Sequence, residues 1–190
     1  MKRALIGASG HAREVNSQMG NKLPMFVDDE YSTSETQPIS KLDFNEYEIM
    51  VAVANPIDRE RIIERLPKNA VFFTYIHPTA LILGNIEIPE GCFVGAYSII
   101  TCDIKIGKHS ILNRMCQIGH DCIIGDYLSM MPGSIISGNC DIGTCFYIGN
   151  NSSVKEKIKI CNDVTIGLLS GVVKNIEEPG IYIGTPCVRI

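Results

Sequence analysis

The sequence lacks the features of a nucleic-acid-binding or membrane protein. Its 17 lysines and arginines form no basic run, and with 21 acidic residues they give a net charge of −4, which argues against a nucleic-acid partner. No segment approaches the ~18 unbroken apolar residues of a membrane span. The apolar stretch near the start is too short for a signal peptide. We therefore expect a cytoplasmic protein that binds neither membranes nor nucleic acid.

Disulfide and metal-site patterns are also missing. The chain has eight cysteines but no C-x-x-C pair, and nothing in it indicates secretion. It also has no closely spaced pair of histidines of the kind that holds zinc. We expect the cysteines to be small structural thiols, and we expect no metal ion.

What the sequence does contain is a six-residue repeat. The 190 residues, 45% of them hydrophobic and 20% charged, suffice for one domain or two small ones. An aliphatic residue or methionine recurs at every sixth position. These positions are Ile76, Ile82, Ile88, Val94, Ile100, Ile106, Leu112, Ile118, Ile124, Met130, Ile136, Ile142, Ile148, Val154, Ile160, Ile166 and Val172. Helices repeat near 3.6 residues and ordinary strands at 2, so neither explains the period.

A second series of small residues follows the first by four positions. It comprises Cys92, Ser98, Ser110, Cys116, Cys122, Ser134, Cys140 and Ser152. Hexapeptide repeats of this kind are typical of a parallel β-helix, in which three hexads make one triangular coil. We expect both series to point into the prism, and we place this domain at residues 75–190.

Residues 1–74 have an α/β pattern instead. Apolar strands are predicted at 3–7, 25–29 and 48–54, with a helix over 11–19. A second helix should begin after Asn55, which suits a helix cap and is followed by a proline. Strands that alternate with helices predict a small parallel sheet.

A glycine-rich turn, GASGHA, spans residues 7–12 between the first strand and the first helix. It lacks the middle glycine of a dinucleotide-binding fingerprint, but backbone N–H groups at such a helix start bind phosphate well. Asp28 and Asp29 follow the second strand, where acidic side chains can accept bonds from a ribose or a base. The turn alone fits a phosphate site and a simple helix cap without a ligand equally well.

Together these segments resemble the bacterial nucleotide-amino-sugar N-acetyltransferases and the related sialic acid O-acetyltransferases. The shared stretches are GASGHARE (7–14), VDD (27–29), AVANPIDRERI (52–62), IHPTA (76–80), ILN (111–113), IGHDCIIGD (118–126) and PGIYIGTPCVRI (179–190). The resemblance implies a Rossmann-like N-terminal domain, a left-handed β-helix, a homotrimer, and acetyl transfer from acetyl-CoA in surface polysaccharide biosynthesis. In the N-terminal domain it implies that Gly10 and His11 meet the phosphates of a nucleotide-linked sugar. Asp28 and Asp29 would meet its nucleoside, with Asn55 and Arg59 nearby.

His120 is the predicted general base. It falls on neither inward series, so its imidazole should point outward, where it can accept a proton at neutral pH. Gly138 lies three hexads, or one coil, further along the chain. The resemblance gives Gly138 the task of donating its N–H to the oxyanion beside the thioester, and gives Asp121 the task of fixing the imidazole tautomer. Asp121 can do so only if the chain turns a corner at 120–121. Asn113 is implied as a substrate contact.

The donor side departs from the family pattern at one position. Ser129 stands where relatives usually carry a second histidine that helps to hold the acetyl donor, so either Ser129 donates a weaker hydrogen bond to the donor or the donor binds differently. Gly184 and Pro186 are implied beside CoA, and Gly149 and Gly167 would border the same groove unless they are ordinary corner glycines.

The activity predicted is therefore N-acetylation of a nucleotide-linked amino sugar. Two alternatives stay open: O-acetylation of a sialic acid or another sugar, and a binding or scaffold protein without catalysis. Because His109 and His120 should lie on different prism faces, the zinc-dependent carbonic anhydrases of the same fold are disfavoured.

Overall fold

The computed structural model describes residues 1–20 and 22–190. Its first part contains β1 (Lys2–Ile6), α1 (Gly10–Gln18), β2 (Met25–Val27), β3 (Gln37–Pro38), β4 (Tyr47–Val51), α2 (Pro56–Glu64) and β5 (Val71–Phe72), with short 3-10 helices at Asp29–Tyr31 and Ile39–Lys41. The strands form one parallel sheet in the order β3-β2-β1-β4-β5. The predicted parallel sheet is confirmed.

The second and third predicted strands extend past the ends of the observed ones, whereas the first has the predicted length and is shifted by one residue. β2 ends at Val27, and Asp29 already begins a 3-10 helix. β4 ends at Val51, after which the chain turns into the cap of α2. At both points the backbone leaves the sheet before the predicted end of the strand and turns into the next helical segment.

The second part is a three-sided coil of very short strands. They are β6 (Tyr75–Ile76), β7 (Leu81–Ile82), β8 (Phe93–Val94), β9 (Ile99–Ile100), β10 (Ile111–Leu112), β11 (Gln117–Ile118), β12 (Ile123–Ile124), β13 (Ser129–Met130), β14 (Ile135–Ile136), β15 (Asp141–Ile142), β16 (Tyr147–Ile148), β17 (Ser153–Val154), β18 (Lys159–Ile160), β19 (Val164–Ile166), β20 (Gly171–Val172), β21 (Gly180–Ile183) and β22 (Val188–Arg189). Neighbouring coils pair in parallel with a register of three hexads, as in Ile111 with Ser129. Only the closing pair β21–β22 is antiparallel among the described residues.

The strands make three flat faces. Face 1 contains β6, β8, β10, β13, β16, β19, β21 and β22, face 2 contains β7, β9, β11, β14, β17 and β20, and face 3 contains β12, β15 and β18. We name two of the edges between faces. The His120 edge joins faces 2 and 3 and includes 119–121 and 137–139, and the His109 edge joins faces 3 and 1 and includes 107–109 and 125–127. A residue with positive φ turns the chain at both edges, for example Asp121 (57°) and His109 (54°).

The core consists of the two predicted inward series. From Val94 to Val172 the aliphatic column is buried, apart from Ile106, which is half-buried. Ile76 departs from the prediction at 41% exposed, because it lies in the first coil and no coil covers it from below. The column forms one continuous apolar cluster, which is the main source of stability for strands this short.

Small side chains fill the inner corners, and their polar atoms bond the corner carbonyls. The Ser98 hydroxyl donates to the Asn113 carbonyl at 2.7 Å, and the Cys122 thiol to the Ser137 carbonyl at 3.2 Å. All eight cysteines are free thiols. The four that fall on the repeat, Cys92, Cys116, Cys122 and Cys140, are buried, as the spacing predicts.

The N-terminal domain covers the lower part of face 1. Ala12 and Val15 of α1 pack against Phe93 and Ile111, which point outward from that face. Glu14 adds a salt bridge to Arg114. Within residues 1–20 and 22–190, no helix is both long enough and apolar enough to cross a membrane.

Candidate active site

His120 and Asp121 form a hydrogen-bonded pair on the His120 edge. The distance from His120 Nδ1 to Asp121 Oδ2 is 2.7 Å, and the two side chains are 56% and 54% exposed. Adjacent residues in a strand point to opposite sides, but the positive φ of Asp121 turns the chain, so the two side chains meet. A carboxylate can only accept, so Nδ1 carries the proton and Nε2 keeps its lone pair.

Gly138 lies one coil away, directly against the imidazole ring. A Cβ atom at this glycine would sit 2.8 Å from His120 Nε2, so any side chain would push the ring aside. The coils are tied here by a 2.7 Å bond from the Asn139 N–H to the His120 carbonyl. In the part of the chain that the structure describes, the Gly138 N–H has no backbone acceptor.

This arrangement supplies two of the groups that acyl transfer needs. His120 Nε2 can take a proton from an attacking nucleophile, with Asp121 stabilising the resulting imidazolium. The N–H of Gly138 can donate to a developing oxyanion on the same edge. A proton acceptor, its orienting acid and a free N–H therefore meet at one exposed corner.

The N-terminal domain has a separate cavity of about 560 Å³ at the carboxyl ends of β1 and β2. Gly7, Ala8, Ser9, Arg13, Asp28 and Tyr31 line it, among others. Gly7 has a φ of +118°, and a Cβ there would lie 2.9 Å from the Ala52 carbonyl oxygen, so the turn requires glycine. The carboxyl ends of parallel strands are where open α/β sheets bind ligands.

The two residues predicted to contact phosphate, Gly10 and His11, lie in different places, one beside this cavity and the other in the domain interface. Gly10 begins α1 beside the cavity. His11 turns the other way, and its ring makes an edge-to-face contact with Phe93 at 6.5 Å. Its Nε2 is buried with no partner among the described residues. Burial, and secondarily Arg59, lower the pKa of His11 to about 4, so the imidazole is neutral at pH 7.

Arg13 is a charged cavity residue that the sequence did not lead us to expect there. It lies one turn into α1, lines the cavity, and donates from Nη1 to the Ala8 carbonyl at 3.1 Å. Its position three residues after Gly10 was the available signal, because the first turn of the helix points back toward the phosphate-binding N–H groups. Tyr31, also in the cavity, had no sequence signal.

The acidic residues and Asn55 have local partners. Asp28 lines the cavity and accepts a bond from Arg65 at 3.2 Å. Asp29 Oδ1 accepts the Ser40 N–H at 3.1 Å, and its bonds to Ser40 lower the pKa of Asp29. Asn55 caps α2 and accepts from the N–H groups of residues 57 and 58. Of the three, only Asp28 lines the cavity.

Asn113 and Ser129 lie in the domain interface, not on the His120 edge. Asn113 is buried and donates to Glu14 of α1 at 3.3 Å. Ser129 is fully buried, donates to the Ala54 carbonyl at 2.7 Å and accepts from Arg59 at 2.9 Å. Its hydroxyl is thus engaged within the chain and is not directed toward a donor.

The glycines assigned to the donor groove serve coil stacking or the closing turn. A Cβ at Gly149 would lie 2.7 Å from the Gly167 backbone, and a Cβ at Gly167 would lie 2.7 Å from the Ile183 side chain. Both positions therefore need glycine for close packing between coils. Gly184 has a φ of +96°, and Pro186 lines a cavity of about 310 Å³ at the end of the β-helix.

Comparisons with known proteins add to this geometry. Residues 2–66 match the family model of the PglD N-terminal domain. GDP-perosamine N-acetyltransferase of Escherichia coli O157:H7 is 29% identical over 109 residues, which are 57% of this chain and 49% of the relative. UDP-3-O-acylglucosamine N-acyltransferase 1 of Sulfurimonas denitrificans is 29% identical over 113 residues, 56% of this chain and 35% of the relative. The chain thus spans about half or less of the length of these curated relatives.

Solved structures share the fold over its whole length. WeeI from Acinetobacter baumannii AYE superposes with a TM-score of 0.87 at 25% identity, and the match covers both chains fully. The acetyltransferase domain of PglB from Neisseria gonorrhoeae FA1090 gives 0.83 at 24% identity over 100% of this chain and 99% of that one. PerB from Caulobacter crescentus, in complex with CoA and GDP-perosamine, gives 0.84 at 22% identity over 100% and 97%. The predicted left-handed β-helix behind a small α/β domain, and the resemblance to hexapeptide-repeat sugar acetyltransferases, are confirmed.

Proposed function

We propose that this chain is an acetyl-CoA-dependent N-acetyltransferase acting on the amine of a nucleotide-linked amino sugar. The observation that carries the proposal is the His120 edge, where Nδ1 is held by Asp121 at 2.7 Å and the ring lies against Gly138. The match to the PglD N-terminal domain and the similarity to a GDP-perosamine N-acetyltransferase support it.

In the proposed reaction the sugar amine attacks the thioester carbonyl of acetyl-CoA. His120 Nε2 accepts the proton that the amine loses, and Asp121 stabilises the imidazolium. The Gly138 N–H donates to the oxyanion of the tetrahedral intermediate. Collapse of the intermediate forms the amide and breaks the carbon–sulfur bond, and the CoA thiolate takes the proton back from His120.

The cavity of the N-terminal domain is the proposed site for the nucleotide. The N–H groups of Ser9 and Gly10 at the start of α1 suit a diphosphate, and Arg13 adds a positive charge beside them. Asp28 and Tyr31 line the same cavity and suit the polar edge and the flat face of a nucleoside. His11 is given no phosphate contact, because its ring nitrogen is buried elsewhere.

A homotrimer would bring the two sites together. The N-terminal domain covers face 1, whereas the His120 edge joins the other two faces. Within one chain, therefore, the nucleotide cavity lies across the prism from His120. We propose that a neighbouring copy presents its cavity to this edge and that acetyl-CoA lies in the groove between copies.

The test is release of CoA thiol from acetyl-CoA with uridine- and guanosine-diphosphate-linked 4-amino sugars. We expect turnover by the wild type and a fall of about 10²–10⁴-fold in His120→Ala, with His77→Ala, another surface histidine, as the matched control. Undiminished turnover in His120→Ala would show that His120 is not the general base. Activity only on hydroxyl acceptors, giving a hydroxylamine-labile ester, would favour the O-acetyltransferase, and no release with any acceptor would favour the scaffold protein.

A further inference from the structure

Arg59 of α2 is a fully buried charge at the junction of the two domains. Its exposed fraction is 0%, and among the described residues it forms no salt bridge with a carboxylate. Burial lowers its pKa to about 10, which still leaves the guanidinium protonated at pH 7. A buried charge without an opposite charge is tolerated only when hydrogen bonds replace its lost water.

The guanidinium obtains those bonds from both domains. Nη1 donates to the Val53 carbonyl at 2.6 Å, in the turn between β4 and α2. Nε donates to the His109 carbonyl at 2.9 Å, and Nη2 donates to the Tyr127 carbonyl at 2.8 Å and to the Ser129 hydroxyl at 2.9 Å. Arg59 therefore forms hydrogen bonds with two successive coils of the His109 edge and with the turn that follows β4 in its own domain.

The residues that Arg59 contacts in the two domains are each connected to one of the two proposed sites. Val53 lines the nucleotide cavity, and Gly7 of the phosphate turn packs against Val53 and the Ala52 carbonyl. Tyr127 and Ser129 follow His120 in the same coil, beyond β12, with Tyr127 at the His109 edge and Ser129 at the start of β13. A shift of the guanidinium would thus move the cavity relative to the coil that carries the general base.

The Arg59 contact is directional and fully buried, whereas the polar contacts of Glu14 with Asn113 and Arg114 on the α1 side include a salt bridge whose side chains are 36% and 47% exposed. On the α1 side the domains meet through apolar side chains such as Val15 and Phe93, and apolar contact tolerates sliding. A planar guanidinium with fixed N–H directions does not, and a lysine could not replace it, because one ammonium cannot reach the same acceptors. Adhesion alone would not require a buried charge here.

We propose that Arg59, with Ser129 as its hydroxyl partner, is a positioning residue that sets where the nucleotide cavity sits relative to the β-helix. In the proposed trimer it thereby sets the reach of a nucleotide-linked acceptor to the catalytic edge of the neighbouring copy. The inference rests on the proposed function, and it gives Ser129 a task other than donor binding.

The experiment compares Arg59→Met, Arg59→Lys and Ser129→Ala with the control Arg61→Met, an exposed arginine of the same helix that forms a salt bridge with Asp58. Three quantities are measured: kcat/KM for the nucleotide-linked amino sugar, KM for acetyl-CoA, and Kd for the free nucleoside diphosphate. We expect kcat/KM to fall about 10–100-fold in both Arg59 variants and about 3-fold in Ser129→Ala. Kd and the acetyl-CoA KM should stay within about 2-fold of wild type, and the control should be unchanged.

Three results would overturn the inference. A folded Arg59→Met with wild-type kcat/KM shows that placement does not depend on the guanidinium. A parallel rise in nucleotide Kd means that Arg59 shapes the cavity itself, and full rescue by lysine means that charge alone suffices. If Arg59→Met does not fold, the kcat/KM of Ser129→Ala decides.

Failure of the proposed function is a separate result. It would appear as no turnover by the wild type with any sugar nucleotide, whatever the variants do. Small-angle X-ray scattering of wild type and Ser129→Ala then reads the domain arrangement without turnover. A broader distribution of interdomain distances in Ser129→Ala supports a positioning role. Identical scattering profiles for the two proteins reject it.

Discussion

The His120 edge and the His109 edge share one local arrangement, a niche in which a histidine ring lies against a glycine, but the two rings differ in exposure. Each histidine ring lies against a glycine one coil away, His120 against Gly138 and His109 against Gly91. His120 is open to solvent, whereas His109 is 5% exposed under the N-terminal domain. There its ring stacks on Tyr127 at 5.6 Å and meets Phe72 edge-on at 4.6 Å. The repeat supplies the niche, and the docked N-terminal domain decides whether the ring is buried or left exposed.

Two glycine substitutions test this difference and carry the largest expected effects. Gly138→Ala would place a Cβ 2.8 Å from His120 Nε2, and the displaced ring should cost about 10²-fold in kcat with stability changed by less than about 0.5 kcal/mol. Gly91→Ala would place its Cβ 2.0 Å from His109 Nδ1, at a φ of +71°. That ring has no room to move, so the protein should lose about 3 kcal/mol of unfolding free energy. Turnover assays and urea unfolding measure the two effects. If both variants lose the same activity and the same stability, the proposed difference between the two edges is wrong.

Truncation of the buried ring should affect stability alone. His109→Ala leaves a cavity between Tyr127 and Phe72, so we expect a loss of about 2–4 kcal/mol in unfolding free energy. Turnover of the protein that remains folded should stay near wild type. A loss of kcat without a loss of stability would mean that His109 takes part in the reaction.

The pH dependence of stability should reveal the buried ring as well. Burial lowers the pKa of His109 to about 4, so between pH 6.5 and 4 the unfolded chain binds more protons than the native one. The stabilisation is complete above pH 6.5 and is lost as the pH falls toward 4, by about 3 kcal/mol. His109→Phe keeps a ring in the stack without titrating, so unfolding curves at pH 7.5 and 5 should differ less than in wild type. If the unfolding free energy changes between pH 7.5 and 5 by the same amount in His109→Phe as in wild type, His109 is not the source of the pH dependence.

The smallest expected effect concerns the acid on the open edge. Asp121→Asn keeps the shape of the side chain but no longer stabilises the imidazolium, so kcat should fall about 10-fold. Its stability should match wild type, because the pair is about half exposed. Asp103→Asn, at the equivalent position one coil earlier, is the control. A change in stability without a change in kcat would make the pair structural.

The β-helix was predictable from the sequence to the level of single side chains. A period of six assigns each residue to a face or an edge, so the inward column, the small corner residues and the outward His120 all follow from counting. The column departs from this pattern in the first coil, as at Ile76, where burial depends on how many coils precede it, and at Ile106, which is half-buried. The contact between Asp121 and His120 needed the positive φ of the corner, which the spacing alone does not reveal.

The N-terminal domain was predictable only to the level of its sheet. Its strands and glycine turn follow from local patterns, but the destinations of His11, Asn113 and Ser129 depend on how α1 and α2 dock on face 1. Arg59 was expected near the nucleotide and instead lies buried in the interface. Arg13 stood in a quoted motif, yet its place in the cavity emerged only once the helix was oriented.

By itself the sequence determined the three-sided coil, the small parallel sheet before it and the exposure of one imidazole, because each follows from a local period and backbone geometry. Tertiary structure decided which polar side chains became buried, since that depends on which surface each domain presents to the other. Periodicity orients a side chain relative to its own backbone, and only packing determines what lies opposite.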